Sequence, residues 1–276
     1  MTRYSTHSHS RIAMALALTL LCALPVAAQE DDPAVIKPAE PDFTISALPT
    51  SLRLPKFGSA FRVTHRFTRP LAQGSFTDLL SDFFGMDNGA VIALEYRFGI
   101  VPNGQIGVHR SSDGKTIEFF GQYSVLRGGP GGLELSALAS IDGTNNFQDS
   151  YSPALGAILS AQISDVAALY FEPIWVNNSN PEPAEIVDDN DSVMLGLGTR
   201  VRVRPTVYVF GEWAPRVSGY EPGVSHGAFG LEKRAGGHMF QVVFTNSFAT
   251  TMGQIARGGT TNDNWYLGFS ISRKFY

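Results

Sequence analysis

The chain is 276 residues long, and its 21 Lys and Arg against 25 Asp and Glu give a formal charge of −4. That balance excludes the basic stripe that nucleic-acid binding requires. A single cysteine, Cys22, excludes an internal disulfide, a cysteine-based zinc site and a CxxCH haem attachment.

The first predicted element is a targeting segment. Arg3 and Arg11 precede an apolar run from Ile12 to Leu24, and Pro25-Val26-Ala27-Ala28 supply a small-residue exit. These are the three parts of a secretory signal peptide, 1–28, with cleavage expected after Ala28. The run is too short for a membrane-spanning helix, which needs about 20 residues. Leu21, ahead of Cys22, is too large for a lipid-modification site. Residues 29–56 follow, with Pro33, Pro38, Pro41, Pro49 and Pro55. Such a stretch cannot pack on its own and reads as a flexible or surface-laid N-terminal arm.

From Gly58 onward the hydrophobic period is two, the signature of strands with one apolar and one polar face. About twelve such segments are predicted, near 58–67, 89–98, 104–111, 115–126, 132–141, 153–163, 167–176, 191–203, 206–214, 225–234, 237–246 and 263–275. Most match the roughly ten residues of a tilted membrane-crossing strand, against the five or six usual in soluble sheets. Their connections alternate in length. Stretches 68–88, 142–152, 177–190, 215–224 and 247–262 are long, 99–103, 127–131, 164–166, 204–205 and 235–236 are short, and only 112–114 breaks the pattern. This is the plan of an up-and-down transmembrane antiparallel β-barrel, an all-β fold occupying 57–276, with both termini periplasmic when the strand number is even.

Magnitude decides which face meets lipid. The polar rows carry Arg62, Arg66, Glu95, Arg97, Glu118, Glu172, Arg200, Arg202, Glu212 and Glu232. An arginine on the lipid face near the midplane costs about 2–4 kcal/mol. The five on this face would together rival the stability of a whole domain. These ten residues are therefore expected to line the lumen, which disfavours a soluble lipocalin-like barrel with its apolar row inside. Phe67, Phe98, Trp175, Trp213, Trp265 and Phe275, at strand ends, suit the two interfacial aromatic girdles.

The segments Phe61–Phe67 (FRVTHRF), Phe83–Gly89 (FFGMDNG), His109–Gly114 (HRSSDG), Gly236–Ser247 (GGHMFQVVFTNS) and Ser272–Phe275 (SRKF) resemble an uncharacterised family of bacterial outer-membrane β-barrel domains. The resemblance spans about residues 57–276 and implies a membrane-bound barrel of Gram-negative bacteria with no assigned reaction. It also implies that the barrel-assembly machinery reads the C-terminal strand, where Tyr276 follows the Phe275 that would normally end the chain.

Candidate chemistry is sparse, and no catalytic residues, metal or cofactor are expected. His65 and His238 lie in the two strongest motifs, on strands two apart; they read either as a metal or haem pair or as interfacial imidazoles of unassigned role. Glu182, Glu185, Asp188, Asp189 and Asp191 form an acidic loop without the glycine and terminal glutamate of a calcium site. Asp87-Asn88-Gly89 reads as a turn. The pairs His109/Ser111 and Ser225/His226 lack a third orienting group, so an enzyme is not expected. Residues 75–84, with Phe76, Leu79, Leu80 and Phe83 at helical spacing, predict a short amphipathic turn packed on the barrel rim or folded inward. The expected function is a narrow channel for small polar solutes or ions in the bacterial outer membrane. The alternative is a closed barrel serving as scaffold or receptor for a periplasmic or surface partner. Its expected partners are outer-membrane lipid, the assembly machinery and, for the closed barrel, a periplasmic protein, with no nucleic acid.

Overall fold

A computed structural model describes residues 38–128, 132–180, 190–261 and 263–275. The signal peptide, the arm before Pro38, most of the acidic loop (181–189) and Tyr276 lie outside the described residues. The strands in chain order are β1 (Ser59–Phe67), β2 (Ala90–Val101), β3 (Gly104–Ser111), β4 (Ile117–Leu126), β5 (Leu133–Gly143), β6 (Asp149–Ile163), β7 (Ala167–Val176), β8 (Ser192–Arg204), β9 (Val207–Ala214), β10 (Arg216–Gly219), β11 (His226–Ala235), β12 (His238–Thr245) and β13 (Tyr266–Phe275). Every neighbouring pair is antiparallel.

Twelve of these strands close a ring. β1 pairs with β13 at one seam, with Ser59 opposite Phe275. β8 pairs with β9 through Leu197–Arg204, and β9 continues to β11. The thirteenth strand, β10, hydrogen-bonds only the first residues of β8 and extends the wall beyond the ring. It lies in the stretch 215–224 that the sequence predicts as a long loop, and its four residues are too few for a period-two signal.

Alternation sorts the two faces as expected. On β2, Ile92, Leu94 and Tyr96 are exposed on the outside while Ala93, Glu95 and Arg97 are buried inside. The remaining charges on the outer face sit at strand ends, such as Lys233 and Arg273 beside the short turns, where the cost in lipid falls to about 0–1 kcal/mol. Phe67, Trp175, Trp213 and Trp265 fall at the long-loop end and Phe98 and Phe275 at the other.

The predicted amphipathic turn is α1 (Phe76–Ser81), opened by a capping box between Ser75 and Asp78. It does not fold inward, and none of its residues is buried. The turn after it lies on the outer wall, where a Cβ on Gly85 would lie 3.8 Å from the Cβ of outward-pointing Phe67.

The arm is the principal correction. Residues 38–56 are neither flexible nor laid on the surface; most are buried inside the barrel. Phe43, Ile45, Leu48, Leu52 and Leu54 are each at most 3% exposed, and burying a side chain of this size contributes about 1.5–3 kcal/mol. Their room comes from small residues on the inner wall. A Cβ on Gly198 would lie 2.2 Å from Ile45 Cδ1, and one on Gly99 2.1 Å from the Pro55 carbonyl oxygen. The first part of the long loop after β12, residues 246–257, also enters the barrel, carrying a second helix, α2 (Met252–Arg257), whose Met252 to Ala256 are all buried.

Candidate functional site: a lumen closed from both ends

The arm is a hairpin inserted through the mouth where the short turns lie. It enters at Pro38, whose carbonyl accepts from the Tyr208 hydroxyl at 3.0 Å, and turns at Ile45–Leu48, where Ile45 N–H bonds the Leu48 carbonyl at 2.8 Å. It leaves at Phe57, whose N–H bonds Gly99. The tip reaches the level of Glu212 and His226, near the long-loop end of β9 and β11.

Side chains on the wall substitute for the missing strand partners of this segment. Gln241 donates to the Ile45 carbonyl at 2.6 Å and Gln122 to the Thr50 carbonyl at 2.8 Å. Gln105 donates to the Leu52 carbonyl at 3.1 Å and accepts from Leu54 N–H at 3.0 Å. Ser51 bonds Ser160 and Glu134. These contacts satisfy main-chain groups that would otherwise be buried without partners, at about 1–3 kcal/mol each.

The tip is fixed by one carboxylate. Glu212 accepts from the N–H groups of Ser46 (2.8 Å), Ala47 (2.8 Å) and Leu48 (3.1 Å). His226 Nε2 lies 2.8 Å from the same carboxylate, and its Nδ1 lies 2.6 Å from Ser247 Oγ. The sequence pairs His226 with Ser225; the fold instead joins it to Ser247 and Glu212. A serine, a histidine and a carboxylate in a row invite comparison with a nucleophilic triad. Here the carboxylate is occupied by three donors of the arm, and all three side chains are shut in the wall. What the row does in this state is anchor the arm.

Of the ten residues predicted to line the lumen, nine are buried inside, and Arg202 is half-buried near the short-turn end of β8. Arg200 makes a two-point contact with Glu232, at 2.6 and 2.8 Å, and donates to the Thr44 carbonyl at 2.8 Å. Arg97 pairs with Glu95 on its own strand. Arg62 bonds Thr44, donates to the Ser46 carbonyl at 2.9 Å and pairs with Asp42 at 3.4 Å. Arg66 donates to Ser46 Oγ at 2.9 Å. These groups grip an occupant rather than face an open bore. Glu172 is fully buried, with no hydrogen-bond partner at either oxygen. Nor is the wall polar throughout, because Ile158, Ile174, Met194 and Phe210 point inward and form one core with Ile45 and Leu48.

The second plug closes the long-loop mouth. Asp142 accepts from Thr251 Oγ and from Gly253 N–H (3.1 Å), and Glu118 accepts from Met252 N–H at 3.1 Å. Wall carboxylates thus cap the first turn of α2, where N–H groups lack intrahelical partners. Arg257 donates to the Ser179 carbonyl at 3.0 Å and to Ser152 at 3.1 Å. Between the plugs remains a cavity of about 20 Å³ lined by Thr44, Glu95, Arg97, His109, Glu118 and Met252, room for one water molecule. Above α2 lies a vestibule of about 210 Å³, lined by Asn246, Ser247, Gln254, Arg257 and Tyr266.

His65 and His238 do not meet. Both point outward, four residues apart in register across β13, with His65 opposite Phe269 and His238 opposite Arg273. His65 stacks on Phe269 at 4.4 Å, and His238 Nδ1 lies 3.0 Å from the Gly236 carbonyl. That geometry removes the reading of a shared metal or haem. Of the acidic loop only Asp191 is described, and it accepts from Trp175 and Asn177. No cluster of metal-ligating side chains occurs among the described residues.

A family model described as a membrane bound beta barrel domain (DUF5777) matches residues 44–275. The match begins inside the arm, so the hairpin's tip and returning limb belong to the same unit as the wall. Among solved structures, the KdgM porin in complex with disordered oligogalacturonate aligns with a TM-score of 0.51 at 6% identity, covering 79% of this chain and 99% of that one. The NanC porin aligns with a TM-score of 0.50 at 8% identity, with the same coverages. Identities this low establish a shared fold. No curated protein matches the chain significantly.

Proposed function

The chain belongs to the family of membrane bound beta barrel domains, and from that premise we propose that it is a bacterial outer-membrane channel for small polar solutes or ions, held shut by its own N-terminal arm at one mouth and by the α2 loop at the other. The single observation that carries this reading is the hairpin itself. It enters and leaves by one mouth, so it can withdraw without rethreading the chain, and ionised wall residues hold it. In this reading the short turns and both termini are periplasmic, the outer face meets outer-membrane lipid, and the assembly machinery reads β13. The porin fold of KdgM and NanC supports the assignment to the outer membrane of Gram-negative bacteria.

The arm's apolar anchors favour a second reading. Phe43, Ile45, Leu48, Leu52 and Leu54 pack as a core packs, which suits a permanently closed barrel that serves as a scaffold or receptor for a periplasmic partner. Planar-bilayer recording separates the two. The full chain is expected to show no steady conductance, and a chain that lacks residues 38–54 and has 250–257 replaced by a glycine-serine linker, so that both plugs are gone, to show unitary steps that a synthetic peptide of the 38–54 sequence blocks. Absence of conductance in the shortened chain, with its barrel shown to be folded by heat-modifiable gel mobility, overturns the channel and leaves the closed receptor.

A further inference from the structure

We propose that the inner wall where β1 meets β13 is a carboxylate-binding site built by Arg62, Ser272 and Lys274. In the closed state the arm's Asp42 fills it in place of the carboxylate of a small organic acid. Arg62 and Ser272 are direct partners in the β1–β13 register, and Lys274 is the next inward residue along β13. The three converge on one group. Asp42 Oδ2 accepts from Ser272 Oγ at 2.8 Å and lies 3.4 Å from Arg62 Nη1, and Oδ1 lies 3.8 Å from Lys274 Nζ. Oδ1 also accepts the N–H of the adjacent Phe43 at 3.0 Å. All four side chains are at most 7% exposed. Two cations and a hydroxyl donor are carried on rigid strands, and Arg62 also bonds Thr64 and Gln241 of the wall, so the frame of the site is part of the barrel although Thr44, Ser46 and Pro41 of the arm bond the two cations in the closed state.

The acid in this site is foreign to the wall. The carboxylate opposite Arg62 on β2 is Glu95, and it is bonded to Arg97. The ion pair that Arg62 makes among the described residues is with Asp42. Arg66, four residues along the same face, adds a further guanidinium whose Nη2 bonds Ser46 and whose Nε has no partner. Once the arm withdraws, these cations face the lumen with a hydroxyl donor beside them, and a buried cation strongly favours an anionic partner. A solute carboxylate then competes directly with Asp42, which makes the arm a tethered stand-in for the solute. The inference rests on the gated-channel reading for its biological meaning, whereas the site itself is tested without it.

In the full chain, Asp42→Ala removes the carboxylate and leaves space for acetate. The variant is expected to unfold at a lower temperature than the wild type. Acetate is expected to restore part of the difference in a saturable manner, while chloride at equal ionic strength does not. The restoration should vanish in Asp42→Ala/Arg62→Gln, and the wild type should not respond to acetate. If acetate does no more than chloride, the site is refuted. Should Asp42→Ala fail to fold, line broadening of ¹³C-acetate by the chain lacking 38–54, abolished by Arg62→Gln, reads the same binding; no broadening refutes the site. Acetate binding together with a shortened chain that never conducts would retain the site and reject the channel.

Discussion

Glu212 supports the arm's tip more directly than any other side chain, and Glu212→Gln isolates that role without changing shape. In the wild type, Oε2 accepts from Ser46 and Leu48 N–H, and Oε1 from Ala47 N–H, with His226 Nε2 on the same oxygen. An amide has one oxygen. If it faces Ser46 and Leu48, the new NH₂ points at Ala47 N–H, donor against donor, while His226 adapts by changing tautomer. One buried N–H is then left unsatisfied, at about 1–3 kcal/mol, and two charge-assisted bonds become neutral ones, at about 1 kcal/mol each. The sum, about 3–5 kcal/mol, raises the population of the undocked tip by roughly 10²–10⁴, since each 1.36 kcal/mol is tenfold. Hydrogen exchange of the Ser46, Ala47 and Leu48 amides in detergent-refolded protein measures this directly. Their rates should rise by that factor while amides of β3 and β4, across the barrel, keep theirs. Unchanged tip rates would show that apolar packing alone holds the arm and would refute the reasoning.

The remaining predictions test other parts of the closure. In Gly99→Ala the added methyl meets the Pro55 carbonyl oxygen, so the arm's exit must shift at a cost of about 1–3 kcal/mol; faster protease cleavage between residues 50 and 58 reports it. Asp142→Ala removes the acceptor for Thr251 Oγ and Gly253 N–H and should loosen α2 by about 1–3 kcal/mol per lost bond. Its readout is faster amide exchange over 252–256 with the arm's tip unaffected. Leu231→Arg places a charge on the outward face in the middle of β11 and should destabilise the barrel in lipid vesicles by about 2–4 kcal/mol in denaturant titrations. Lys233→Leu, near the short turns, should change it little.

The wall was legible because two independent regularities coincide in it. A period of two fixes each strand's faces, and the cost of an arginine in lipid decides which face is outside; neither needs knowledge of the interior. Both fail for the arm. Residues 38–56 form no strand beyond a single bridge between Thr44 and Pro49, and their alternation runs only from Asp42 to Ala47 between Pro41 and Pro49, too short to read as a membrane-crossing strand. Their prolines read as solvated linker because proline withholds a donor, but inside the barrel fewer donors means fewer groups to satisfy. The loop 246–258 escaped for a related reason. α2 is six residues long, under two turns, and no amphipathic stripe develops over that length.

A signal for the plug nevertheless exists in the wall. A lumen filled with water has no use for inward-facing Ile158, Ile174, Met194 and Phe210, yet these side chains lie on the polar-face parity of their strands, which attention to the charges alone passes over. Gly196 and Gly198 stand on the same parity of β8, and the Cβ atoms they lack would meet Leu48 and Ile45. Bulky apolar residues beside glycines on the supposed water face imply an apolar occupant, and the segments outside the strands are the candidates. The chemistry divides accordingly. Ile45 and Leu48 pack against the apolar arc, while Asp42, Thr44 and Ser46 face Arg62, Arg66 and Arg200. An arm with alternating apolar and polar side chains therefore fits the lumen in one orientation only, as a strand fits between two unlike faces. A register slip of one residue would drive Asp42 and Ser46 against Ile174 and Phe210 and Ile45 against the guanidinium groups. The arm is accordingly expected either to dock in this register or to leave the lumen altogether, which makes closure two-state.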